Sequence, residues 1–179
     1  LPTHRCAAIL LAIALAAACL ASTAAPAQEG RDVAAFRVER LNAGLGPPPE
    51  GLDRSTPRAT LETLLFLTRE GAADEAAHLL DLSEIPPEEQ ARRGPELARR
   101  FAEVIDRRVI LDWAQIPDRP DGMDTTGASE EPMLGEPRKS IALAMPEPGA
   151  RPLPVRLNRI LPEGGEAVWV VSSQTVDHV

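Results

Sequence analysis

The chain has 179 residues, enough for one domain with a real core and not for two. Aromatics make up 3% and Tyr is missing, so the core falls to Leu, Val, Ile and Ala, and a base-stacking platform for nucleic acid is disfavoured. The net charge of −8 likewise argues against binding to phosphate backbones or anionic lipid.

Residues 1–27 have the layout of a secretory signal peptide. His4 and Arg5 supply a short basic region, Cys6 to Ala21 a continuous run of small apolar residues, and Ala25-Pro26-Ala27 an A-x-A ending. The run is shorter than the ~18–20 residues that span a bilayer comfortably. Cleavage is expected after Ala27, with export to the periplasm, and the intact mass of the secreted form checks it. An uncleaved anchor and a lipoprotein attached at Cys19 are the alternatives, and Ala16-Ala17-Ala18 is a poor lipoprotein signal. Both cysteines, Cys6 and Cys19, lie in this segment. The mature chain is then expected to carry no disulfide and no thiol nucleophile.

Residues 28–55 read as an extended Pro/Gly-rich leader. A weak helical stripe at Val33, Phe36 and Leu41 precedes Pro47-Pro48-Pro49, which neither a helix nor a central strand accommodates. Leu45 and Leu52 are placed to tack the leader onto the core. An α+β domain is expected over 56–179. Thr56 is a good N-cap and Pro57 suits the first helical position. Leu61, Leu64 and Leu65 form an apolar stripe, extended by Phe66 and Leu67, and Gly71 is the stop. Ala73, Ala76, Ala77 and Leu80 space a second, shorter helix. Pro87-Glu88-Glu89 reads as a short helical turn. Gly94-Pro95 then interrupts and opens a third helix with Leu97, Phe101, Val104 and Ile105 on one face.

At Val109–Trp113 the pattern shifts to β-branched and aromatic residues, which predicts a strand. Residues 117–137, rich in Pro, Gly and acids, read as a mobile acidic loop. Strands follow over 140–145, 152–161 and 167–172. Pro162-Glu163-Gly164-Gly165 forms a hairpin turn between the last two, and Ser173 caps a final helix. The fold class is α+β: N-terminal helices packed on a C-terminal antiparallel β-meander. Leu64, Leu65, Phe101, Ile105 and Trp169 are expected to share one core.

Chemistry is thin. His4 leaves with the signal. His78 reads as a helix-surface partner of Asp74 at i+4, and His178 lies at a frayed end. Asp118, Asp121 and Asp124 recur at i+3, with Glu130 and Glu131 further on, but their order is not that of a Ca²⁺ loop, and they read as a solvated acidic surface. Gly44-Leu45-Gly46 precedes prolines rather than a helix, so it is not a dinucleotide site. Trp113 and Trp169 read as packed side chains. No H-x-x-x-H, C-x-x-C or G-x-S-x-G occurs. No catalytic, cofactor-binding or metal-binding residue is assigned, no cofactor is expected, and the chain reads as non-enzymatic.

LNAGLGPPPEGLDRSTPRATLETLL (41–65), AAHLLDLSEIP (76–86), GPELARRFAEVIDRR (94–108) and VWVVSSQTV (168–176) cover most of the mature chain. Together they resemble the periplasmic amino-terminal region that precedes the membrane helices in some bacterial small-conductance mechanosensitive ion channels. The resemblance implies a non-enzymatic periplasmic domain acting in assembly, partner contact or modulation of gating. Its implied partners are a membrane-channel part or subunit, or further copies of this chain, and no nucleic acid. The sequence departs from that family in having no transmembrane helix and no Gly/Ala-rich pore helix, so no gating or pore residue carries over. The alternative is a stand-alone exported module that holds a small apolar ligand between helices and sheet.

Overall fold

The computed structural model describes residues 34–108, 111–123, 137–143 and 155–179. The signal-peptide reading of 1–27, Val33, the start of the expected strand at Val109 and Ile110, and residues 124–136 lie outside them. So do 144–145 and 152–154, at the ends of two expected strands. The described residues belong to one unit, Val33–Val179.

Helix α1 spans Pro57–Arg69 and begins where its sequence says it should. Thr56 is extended, and its Oγ1 accepts the Ala59 N–H at 3.0 Å. The same hydroxyl donates to Asp118 Oδ1 at 2.9 Å, so one side chain caps the helix and pins a distant loop. Thr56→Ala is therefore expected to cost about 1–2 kcal/mol in urea unfolding, and Thr56→Ser much less. Gly71 ends the segment at φ +80°.

The second helical stretch is a single turn, α2 (Ala73–Ala76), which tightens into a 3₁₀ turn at Ala77–Leu79. Helix α3 runs unbroken over Pro87–Arg108, with Gly94 and Pro95 inside it. This corrects the expected break, and packing is the reason. A Cβ on Gly94 would lie 2.9 Å from Ala77 Cβ and 3.1 Å from Leu82 Cδ1, so glycine here lets α3 approach the 3₁₀ turn. Pro95 removes the N–H that would bond the Ala91 carbonyl. Ala91 is exposed, which lets water replace that donor. On the solvent side, Arg93–Glu89, Arg100–Glu96 and Arg107–Glu103 pair at i,i+4, each worth only about 0.3–0.5 kcal/mol.

The sheet contains β1 (Phe36–Val38), β2 (Ser140–Ala142), β3 (Arg156–Pro162) and β4 (Val168–Val171). β3 is central. β4 pairs antiparallel along one side, with Leu157 opposite Val171. On the other side β2 pairs antiparallel, Ile141 opposite Leu157, and β1 pairs parallel, Phe36 opposite Ile160. The sheet is thus mixed, not purely antiparallel. Phe36 belongs to a strand and not to a helical stripe, because its hydrogen-bonding partner is the far end of β3. The hairpin turn forms as expected, with Gly164 at φ +71° and Gly165 N–H donating to the Pro162 carbonyl at 3.1 Å. Helix α4 spans Ser173–Val176, and Ser172, one residue earlier than expected, is its cap. Among the described residues, no helix is long and apolar enough to cross a membrane.

Leu64, Leu65, Phe101, Ile105 and Trp169 do come together in one buried cluster, with Leu61, Leu157 and Val171. Trp169 is its largest side chain and is fully buried. Its indole N–H donates to the Pro120 carbonyl at 3.0 Å, and its ring covers Gly122, where a Cβ would fall 2.7 Å from ring carbon. Arg58 N–H donates to the Pro117 carbonyl at 3.1 Å and Arg138 N–H to the Asp121 carbonyl at 2.9 Å. Residues 117–123, the first part of the expected mobile loop, are therefore built into the fold around the tryptophan.

Trp113 behaves differently. Asp112 accepts the Ala114 N–H at 3.1 Å and caps a 3₁₀ turn, Trp113–Gln115, which begins at the last residue of the strand expected over Val109–Trp113. A short side-chain-to-backbone bond of this kind competes directly with strand pairing. Trp113 is 37% exposed, so its expected packed position is corrected too.

Candidate functional site

Two buried amides hold the leader against the helices. Asn42 takes φ +50°, a conformation Asn tolerates better than most residues. Its Nδ2 donates to the Leu80 carbonyl at 2.7 Å, and its Oδ1 accepts the Leu82 N–H at 2.9 Å. Gln90, one turn into α3, donates from Nε2 to the carbonyls of Leu82 (3.0 Å) and Ile85 (2.9 Å). Its Oε1 accepts the Gly44 N–H at 2.8 Å. Gly44 packs so closely that an added Cβ would lie 1.8 Å from the Pro87 carbonyl oxygen. Sequence reading missed both amides. The usable signal was an Asn just ahead of a glycine, Asn42-Ala43-Gly44, in an otherwise apolar leader.

Held in this way, the leader walls a cavity of about 650 Å³. Leu41, Asn42, Pro47 and Pro48 of the leader line it, together with Arg54, His78 and, from the hairpin, Pro162 and Glu163. Glu39 and Arg40 also line it. Arg54 is half-buried, and its carbonyl accepts the Trp169 N–H at 2.9 Å, which fixes its backbone to the sheet. Its Nη1 reaches the His78 carbonyl at 3.5 Å, a long contact. Among the described residues it makes no ion pair, and burial pulls its pKa below the ordinary arginine value.

His78 is not on a helix surface beside Asp74. It is 8% exposed, in the 3₁₀ turn, with Arg54 next to it. The reason is geometric: three residues per turn instead of 3.6 rotates the side chain away from the face that α-helical spacing predicts. Its pKa is lowered from 6.5, first by burial and then by the Arg54 charge, while Glu75 pulls the other way. Folded His78 therefore resists the proton that unfolded His78 accepts. The stability this contributes is present above about pH 6.5 and is lost as pH falls through the lowered folded pKa. Thermal melts between about pH 7.5 and 5 should show Tm falling on acidification. His78→Gln should flatten that slope, and an unchanged slope would assign it to other groups.

The remaining candidates do not converge on this cavity. His178 is exposed and bonds the Gln174 carbonyl. Asp118 accepts from Thr56, and Asp121 pairs with Arg119 at 2.6 Å, which holds its carboxyl below the usual range. Asp124, Glu130 and Glu131 lie outside the described residues. Among the described residues, no three His, Cys, Asp or Glu come together in a way that could hold a metal ion. Of Gly44-Leu45-Gly46, Gly44 serves close packing, Leu45 packs against the core and Gly46 lines the cavity.

By fold, the described residues define an α+β domain with helices and a mixed sheet. Compared with known proteins, the chain matches no family model, no curated protein and no solved structure.

Proposed function

We propose that the chain is an exported, non-enzymatic binding domain whose ligand sits in the cavity beneath the leader. The helices and the antiparallel run β2–β3–β4 form its scaffold, with β1 added at the edge. The observation that carries this reading is the cavity itself. Its volume of about 650 Å³ falls in the usual range for small-molecule sites, and its walls are fixed by Asn42, Gln90 and the Arg54–Trp169 backbone bond. The test is ligand-observed NMR with a mixture of neutral, cationic and anionic small molecules, repeated on Ala43→Trp. Ala43 is exposed and lines the cavity, so a tryptophan there fills it without disturbing the core. Binding that disappears in Ala43→Trp supports the reading. No binding, or binding that ignores the substitution, overturns it.

A second reading, a contact domain of a mechanosensitive-channel-like protein, is supported by the resemblance and by one apolar patch. Phe66 is 60% exposed on α1, beside Leu52 and Leu67 in a shallow groove. Its test is the downstream DNA. A continuing frame encoding apolar spans of ~20 residues supports it, and a stop codon directly after Val179 overturns it.

A further inference from the structure

We propose that the ligand of this cavity is a small organic monocarboxylate whose carboxylate is held by the Arg54 guanidinium beside His78. The inference rests on the binding reading above and names its substrate class.

A guanidinium presents a planar fork of five N–H donors that matches a carboxylate in two parallel bonds. In this structure that fork has one long contact, to the His78 carbonyl, and no acid opposite it among the described residues. A half-buried cation in that position lacks the opposite charge that normally offsets its lost hydration. The carboxylates that line the cavity, Glu39 and Glu163, form no ion pair with it. The open donors therefore face a space large enough for a ligand.

The charge on the walls decides between anions. Arg40 and Arg54 are opposed by Glu39 and Glu163, and His78, with its pKa lowered, is neutral near pH 7. These four charges balance, so a monoanion leaves one uncompensated charge in the cavity and a dianionic phosphate leaves two. Of the remaining lining, Leu41, Ala43, Pro47, Pro48 and Pro162 carry apolar side chains, Gly46 has none, and the Asn42 amide is already engaged with Leu80 and Leu82. That surface suits a hydrocarbon body rather than a sugar or a second charged group.

The probes are hexanoate, hexanol, hexylammonium and inorganic phosphate, titrated into the purified chain and followed by calorimetry and by the His78 ring resonances. Hexanoate is expected to bind and shift the His78 signals. Arg54→Gln should weaken it about tenfold or more, and Arg54→Lys by less, since lysine keeps the charge but loses the fork. A thermal melt of each variant establishes that it is folded. Should Arg54→Gln unfold, the comparison of hexanoate with hexanol on the unaltered chain decides alone. Hexanol binding as well as hexanoate, with both lost in Ala43→Trp, overturns the carboxylate site and leaves the binding domain standing. Phosphate binding more tightly than hexanoate overturns the monocarboxylate assignment. No binding by any probe overturns this proposal, and only the failure of the broader mixture would remove the binding reading as well.

Discussion

Trp169→Ala is expected to lower the unfolding free energy by about 3–5 kcal/mol, a large share of the roughly 5–15 kcal/mol that holds a domain together. The side chain is fully buried and is the largest in the core. Its removal leaves a cavity in the core cluster to which α1, α3 and the sheet all contribute. It also removes the indole donor from the exposed Pro120 and strips the cover from Gly122. Trp169→Phe keeps most of the apolar area but loses the indole bond, and should cost about 1–2 kcal/mol. Trp113→Ala is the control: its ring is largely outside the core, and the change should stay within about 0.5–1 kcal/mol. Urea unfolding of the three variants is the measurement. Equal losses for Trp113 and Trp169 would show that the core is misplaced.

Asn42→Ala should cost about 3–7 kcal/mol, although it deletes only one small amide. Two backbone groups, the Leu80 carbonyl and the Leu82 N–H, lose their partner inside the protein, at about 1–3 kcal/mol each. Alanine must also adopt φ +50°, which adds roughly 1 kcal/mol. Asn42→Gly separates the two effects, because glycine accepts that φ without strain but supplies no amide. The Gly variant should therefore lie between wild type and Ala in a urea titration. If Gly and Ala are equally stable, backbone strain contributes nothing at this position. If Ala is as stable as wild type, the amide does not hold the leader.

What could be read from the sequence was what depends on near neighbours. Thr56-Pro57 starts α1, Gly71 ends it, and Gly164-Gly165 turns the last hairpin, because caps and turns are closed by residues a few positions apart. The apolar stripes also gave the core, since burial follows from spacing along a helix. What could not be read depends on distant contacts. Phe36 forms a strand only because Ile160 is beside it. Gly94-Pro95 looks like a helix boundary until Ala77 and Leu82 are seen to need the space. His78 has the spacing of an exposed helical residue, and a switch to 3₁₀ geometry sends it to the cavity. The candidate site was almost wholly hidden for the same reason. Arg54, His78 and Glu163 lie on three separate segments and share no sequence pattern.

The attachment of Arg54 to the sheet has a consequence for solubility. Val168-Trp169-Val170-Val171 is short, apolar, uncharged and free of proline, the composition that favours cross-β stacking between molecules. The side of β4 turned away from β3 would offer its backbone groups to a neighbouring chain. Those groups are already engaged. The Arg54 carbonyl takes the Trp169 N–H, Asp81 N–H bonds the Val171 carbonyl at 2.8 Å, and Thr60 Oγ1 shares its proton between the Thr56 carbonyl at 2.8 Å and the Trp169 carbonyl at 3.2 Å. The leader's last residues and the segment after the 3₁₀ turn thus act as a guard rail along an adhesive edge, and loosening them would open that edge to pairing with a neighbouring chain.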